Sequence, residues 1–197
     1  IGVDHPLPPI IVPQTGNSTL LERLPVSERF LAIAPTANSP KKQWHHENFL
    51  KLATALTDEN GVLAGAKIVV FGAPGEEAQA MPVVQNLPQE QVINFVGQTT
   101  PLQAAELLSR CSLFVGNDSG LMHTAVAVGI PTVGLFGIGK PVVYRPWGAK
   151  SLCLIGDPAG EQITRHFEIE NGETTKYRET LPLNQVLKEV ETFYQNI

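Results

Sequence analysis

The sequence predicts an α/β domain built on a doubly wound parallel sheet. From Phe30 onward, short apolar runs alternate with stretches of helical spacing, and glycine or proline marks most junctions between them. The composition agrees, since 43% of the 197 residues are hydrophobic and 17% are charged, enough for one sizeable core.

Pro6, Pro8, Pro9 and Pro13 stiffen the first segment, so residues 1–29 read as a linker and lead-in to a domain spanning 30–197. A start at Ile1 and a proline-rich linker raise the expectation of a fragment whose N-terminal part has been removed. Phe30 to Ala34 is expected as a buried strand. Glu47 to Asp58 follows as a helix, with Phe49, Leu50, Ala53 and Leu56 on one face. Gly61 and Gly65 turn the chain into a second strand, Lys67 to Phe71, and Gly75 to Gln85 reads as a helix strained at its far end by Pro82. Val92 to Val96 is the third strand. Pro101 to Cys111 combines a first-turn proline with strong helix formers. Leu113 to Val115 and Thr132 to Phe136 are strands bracketing a helix that opens at Asp118. Loops are expected between Asp157 and Thr180, and a terminal helix from Leu183 to Tyr194.

The net charge of −5 and the absence of basic runs beyond Lys41-Lys42 argue against nucleic acid as a partner. Cys111 and Cys153 lack metal-site spacing and read as reduced, buried thiols of a cytoplasmic protein. No apolar run approaches the roughly 18 residues that span a bilayer, and no signal peptide is visible.

Ligands of doubly wound folds bind beyond the carboxyl ends of the strands. That rule selects the loops at 35–44, 72–77, 97–100, 116–120 and 137–148. In Gly116-Asn117-Asp118-Ser119-Gly120-Leu121-Met122-His123 a strand turns sharply into a helix, whose unpaired N–H groups and dipole suit a phosphate. Asp118 reads as the N-cap, and Gly120 allows close approach of an anion. An ordinary capped helix would look the same. Asn38, Ser39 and Lys42 offer hydrogen bonds and a mobile charge, although a solvated loop is the simpler reading. Glu76 could accept from ribose hydroxyls, or merely favour the helix dipole. His123, four residues after Ser119, would face the same pocket or pack as a structural histidine. Together these groups suggest a nucleoside-diphosphate pocket. Neither G-x-x-x-x-G-K-[ST] nor an early G-x-G-x-x-G is present, which weighs against ATPases and ordinary dehydrogenases. No Asp-x-Asp occurs, so no metal is expected at the diphosphate.

With these residues laid out, the chain resembles the C-terminal half of glycosyltransferase family 9, the heptosyltransferases of lipopolysaccharide core assembly. The resemblance runs from about Phe30 to Ile155 and rests on Gly116 to His123, Ala125, Gly129-Ile130-Pro131-Thr132, Leu135-Phe136-Gly137, Pro35-x-Ala37, Lys42-x-Trp44 and Gly72-Ala73-x-x-Glu76. It implies a GT-B architecture of two Rossmann-like halves, with this half holding the donor, ADP-heptose or a related nucleotide sugar. It further implies that Asn38 and Ser39 sit in the phosphate loop, that Lys42 contacts the diphosphate and Glu76 the ribose. Asp118, Ser119, Gly120 and His123 would lie at the diphosphate and sugar, and Thr99 or Thr100 beside the nucleobase. The general base would belong to the absent N-terminal half, so no catalytic residue is assigned here. The acceptor implied is a lipopolysaccharide-core-type glycan, and the full protein would act in the cytoplasm or at the cytoplasmic face of the inner membrane.

Thr36, His45 and Ile138-Gly139-Lys140 depart from the family's usual Gly, Pro and Pro-Thr-Asp-type residues, leaving the donor sugar open. The rival readings are the nucleotide-binding half of a GT-B-like sugar epimerase and a non-catalytic nucleotide-binding module.

Overall fold

The computed structural model describes residues 18–39, 42–137, 140–156, 163–165 and 181–197. Its sheet contains β1 (Phe30–Ala34), β2 (Lys67–Val70), β3 (Val92–Asn94), β4 (Leu113–Asn117), β5 (Thr132–Phe136), β6 (Ser151–Gly156) and β7 (Ile163–Arg165). The order is β3-β2-β1-β4-β5-β6-β7, with β1 to β6 parallel and β7 antiparallel to β6. The helices are α1 (Ser18–Leu21), α2 (His46–Thr57), α3 (Glu77–Asn86), α4 (Pro101–Leu108), α5 (Gly120–Ala127), α6 (Pro141–Tyr144) and α7 (Leu183–Gln195).

The alternation of side chains along β1 explains why the sheet is covered on both faces. Leu31 and Ile33 join Phe49, Leu52 and Leu56 of α2, Val83 of α3, and Val186 and Val190 of α7 in one core. Phe30, Ala32 and Ala34 point the other way, into a second core with Leu107 and Leu108 of α4 and Met122 and Ala125 of α5. All five residues of β1 are buried, as expected of a central parallel strand. This is the doubly wound, Rossmann-like α/β arrangement expected from the sequence.

Several boundaries differ from the sequence reading. β4 runs two residues beyond Val115, because Gly116 pairs with both Ala34 and Gly134 and Asn117 pairs with Leu135. The following helix therefore starts at Gly120, and Asp118 is not its N-cap; Ser119 occupies that position with extended φ and ψ of −149° and 169°. α3 passes through Pro82 to Asn86, held by burial of Ala80 and Val83 despite the lost backbone donor. β6, not anticipated from the sequence, buries Cys153, Leu154 and Ile155. β7 falls inside the stretch expected to be loop; its pairing with β6 supplies backbone hydrogen bonds that no side-chain pattern advertises. The remainder of that stretch, the proline-rich segment at 6–13 and Ile138-Gly139 lie outside the described residues. Leu24, in the lead-in segment, is fully buried, and Arg23 stacks 4.2 Å above the Phe95 ring.

Candidate functional site

The strand order reverses between β1 and β4, since β2 and β3 lie on one side of β1 and β5 to β7 beyond β4. A crevice opens at the carboxyl ends of two strands whose connections diverge in this way. Here it is a cavity of about 510 Å³.

Asn117 builds the floor between these strands. It is fully buried, with Nδ2 donating to the Pro35 carbonyl at 2.9 Å and the Thr36 carbonyl at 3.4 Å, and Oδ1 accepting from the Trp44 N–H at 2.9 Å. One side chain thus fixes both ends of the loop after β1. Trp44 is tied down further by its indole N–H, which donates to the Leu181 carbonyl at 2.9 Å, and by an edge contact with Phe49. From the α3 side, Gln79 Oε1 accepts from the Ala37 N–H and from the Gln43 side-chain amide.

The loop so held carries Lys42, whose Nζ lies 2.6 Å from Asp118 Oδ2. Asp118 is buried while Lys42 retains partial contact with solvent. This ion pair explains why Asp118 does not cap α5: its carboxylate is engaged across the crevice. No side chain caps the helix in its place, and the Ser119 hydroxyl is buried without a hydrogen-bond partner. The first turn of α5 therefore presents uncapped N–H groups, with the positive end of the helix dipole behind them. A Cβ at Gly120 would meet nothing within 4 Å, so the backbone there is approached through open space.

At the β2 end, Thr36 Oγ1 donates to Glu76 Oε2 at 2.5 Å, and the Ala73 N–H donates to the same oxygen at 2.8 Å. Gly72 makes this contact feasible, since a Cβ would lie 2.9 Å from Val96 Cγ1 and 3.2 Å from Thr36 Oγ1. Thr100 caps α4 in a reciprocal arrangement with Gln103.

Of the nine residues singled out in the sequence, eight line this cavity: Asn38, Lys42, Glu76, Thr100, Asp118, Ser119, Gly120 and His123. Thr99 also lines it. Ser39 does not; its carbonyl accepts from the Lys42 N–H and shapes the turn instead. His123 is exposed and hydrogen-bonds to no described residue, unlike a packed structural histidine.

Residues 5–173 match the model of glycosyltransferase family 9 (heptosyltransferase), which covers most of the chain. The chain belongs to glycosyltransferase family 9. Among its relatives, the lipooligosaccharide heptosyltransferase 2 of Haemophilus influenzae is 34% identical over 118 residues, 58% of this chain and 33% of that protein. The lipopolysaccharide heptosyltransferase 2 of Escherichia coli K12 is 31% identical over 161 residues, 79% of this chain and 43% of that protein. The solved structure of E. coli ADP-heptose lps heptosyltransferase II superposes with a TM-score of 0.70 at 25% identity, covering 91% of this chain and 51% of that one. The chain spans about half the length of these relatives or less.

Within this family member, the sequence reading missed Thr36 and Asn117. Thr36 stood out only as a departure from glycine, yet its position two residues past β1, beside the strand leading to Glu76, was a usable signal. Asn117 stood inside the Gly116 to His123 run, but nothing local gave it a structural role, because its partners lie 73 to 82 residues away. Outside the cavity, ligand atoms of the exposed residues His45, His46 and Glu47 lie within 4.8 Å of one another, a spacing that could hold a metal ion. Cys111 and Cys153 are buried and free; burial raises both thiol pKa values, that of Cys153 to about 12, which keeps them protonated and unreactive.

Proposed function

We propose that this chain is the donor-binding part of a heptosyltransferase-type glycosyltransferase, holding ADP-heptose or a related nucleotide sugar. The observation that carries this reading is the convergence of Lys42, Asp118 and the uncapped start of α5 on one wall of the cavity, with Glu76 at the other end. The diphosphate lies against the α5 N-terminus and Lys42, the ribose hydroxyls donate to Glu76, and Thr99 and Thr100 border the base. Ser119 and His123 border the sugar, and Asn38 completes the phosphate loop.

In transfer, the acceptor oxygen displaces the nucleoside diphosphate at the anomeric carbon. Negative charge grows on the leaving phosphate, and this chain's part is to stabilise it. The helix N-terminus contributes about 1 kcal/mol and a lysine hydrogen bond about 1.5 to 3 kcal/mol. These terms accelerate the reaction only to the extent that they strengthen in the transition state. With the positive charge supplied by protein groups, a divalent ion at the diphosphate is not needed. The general base and the lipopolysaccharide-core-type acceptor site lie outside these 197 residues, and the whole enzyme works on the cytoplasmic side of the inner membrane. No helix among the described residues is long and apolar enough to cross a membrane. Membership of glycosyltransferase family 9 disfavours the epimerase and non-catalytic readings.

Titration calorimetry with ADP, ADP-heptose, UDP and GDP tests the proposal. ADP and ADP-heptose should bind in the millimolar range or tighter, with EDTA present. Absence of binding by every nucleotide would overturn the donor-pocket reading, and binding that appears only with added metal would overturn its metal independence.

A further inference from the structure

The first turn of α3 reaches both ends of the cavity. Glu76, its N-cap, takes the Thr36 hydroxyl and the Ala73 N–H on one carboxylate oxygen, and its carbonyl closes the turn by accepting from the Gln79 N–H at 3.0 Å and the Ala80 N–H at 3.2 Å. Three residues on, Gln79 stands beside it on the helix surface. Gln79 Oε1 accepts from the Ala37 N–H at 3.3 Å and from the Gln43 side-chain amide, which also donates to the Ala37 carbonyl at 3.4 Å. One amide oxygen, with a lone pair for each donor, therefore joins the two sides of the loop that carries Asn38 and Lys42. Neither Gln79 nor Gln43 lines the cavity, whereas Asn38, Lys42 and Glu76 do. The turn is itself fixed to the core, since Ala80 and Val83 are buried.

We propose that Gln79 is a positioning residue for the donor's diphosphate, holding the Lys42 loop at a fixed span from Glu76. The inference rests on the donor reading of the cavity and deepens it. In a nucleoside diphosphate a short covalent link joins the ribose to the phosphates, so the groups that bind the two must stand at a matching separation. Were the two set independently, ordering the loop on binding would cancel part of the affinity gained from each phosphate contact. Here one helical turn carries the ribose acid and suspends the phosphate loop, so that ordering is completed on folding. Asn117 fixes the loop at Pro35, Thr36 and Trp44, where it leaves the sheet. Gln79 fixes it at Ala37 and Gln43, one residue further in at either end. Because it acts through Asn38 and Lys42, Gln79 governs binding of the phosphates and leaves the nucleoside alone.

NMR titration with ADP and with adenosine tests this, because it reads weak binding. Gln79→Met keeps the length of the side chain and a good helix former while removing the acceptor. ADP affinity should fall about fivefold while adenosine affinity stays within about twofold. Gln43→Met cuts the same contact from the loop side, outside α3, and should lower ADP affinity about threefold. In a Lys42→Ala background most of the Gln79→Met effect should vanish, since Gln79 acts through the loop that presents Lys42. Amide hydrogen exchange at Ala37 and Lys42 should quicken in both methionine variants, with β1 unchanged. Exchange needs no ligand, so it decides whether Gln79 holds the loop even where the parent binds no nucleotide and the donor reading fails. Equal loss of ADP and adenosine, an undiminished Gln79→Met effect in the Lys42→Ala background, or unchanged exchange would each overturn the proposal.

Discussion

At the β2 end of the cavity the Glu76 carboxylate is already oriented, one oxygen held by the Thr36 hydroxyl and the Ala73 N–H. At the β4 end the Lys42 ammonium is oriented too, but by an internal anion, Asp118, at 2.6 Å. The first arrangement leaves the second carboxylate oxygen open, so a ribose bound as proposed would meet it at little rearrangement cost. In the second, a diphosphate bound as proposed would draw Lys42 from Asp118, so binding there would be an exchange of partners. Nucleoside affinity should therefore be set by packing and the ready acid, whereas the gain from adding two phosphates is reduced by the ion pair that is broken.

The largest expected effect removes the frame common to both ends. Asn117→Leu keeps much of the volume but leaves the Trp44 N–H and the Pro35 carbonyl without partners in the interior. Stability should fall by about 3 kcal/mol or more, read as a lowered urea midpoint with an unchanged slope. A variant as stable as the parent would show that the loop after β1 is held by other contacts.

Lys42→Ala should break the β4 end alone. ADP affinity should drop by about 10- to 100-fold while adenosine affinity stays within error. Equal weakening of both ligands would remove Lys42 from the phosphate role. Thr36→Val is the counterpart at the β2 end. Without its hydrogen bond Glu76 is freer to turn, and adenosine and ADP should both weaken by about threefold to tenfold in calorimetry. An effect on ADP alone would contradict the assignment of Glu76 to ribose. The smallest change expected is a gain: Asp118→Asn releases Lys42 and removes an anion beside the phosphates, so ADP should bind about fivefold more tightly and with a steeper salt dependence. Weaker ADP binding would mean that Asp118 is needed to position Lys42 rather than being displaced from it.

Much of this site was legible because its chemistry is local. Lys42, Glu76, Asp118 and Ser119 stand in loops, and Gly120 to His123 in the first turn of α5, that strand–helix alternation places at one sheet edge, and the sheet then brings them around one cavity. The misassigned cap at Asp118 has a specific cause. Asp is a favoured N-cap on local grounds, but an ion pair with a lysine 76 residues earlier in the chain prevails. β6 escaped notice because Ser151–Gly156 is partly buried at its first two residues and buried from Cys153 on, so it lacks the alternation that signals a half-exposed strand. β7 and the staple formed by Asn117 depend on pairings distant in sequence, and no local pattern encodes them.

The hydrogen bond from the Trp44 indole to the Leu181 carbonyl spans 137 residues. During synthesis, β1, β2 and β4 can pair before Leu181 leaves the ribosome, but Trp44 lacks this anchor until it does. The loop bearing Lys42 is thus among the first parts of the domain to be made and among the last to be locked. A nascent chain stalled before Leu181 would have its sheet and lack this tether on the Lys42 loop until the α7 segment has emerged.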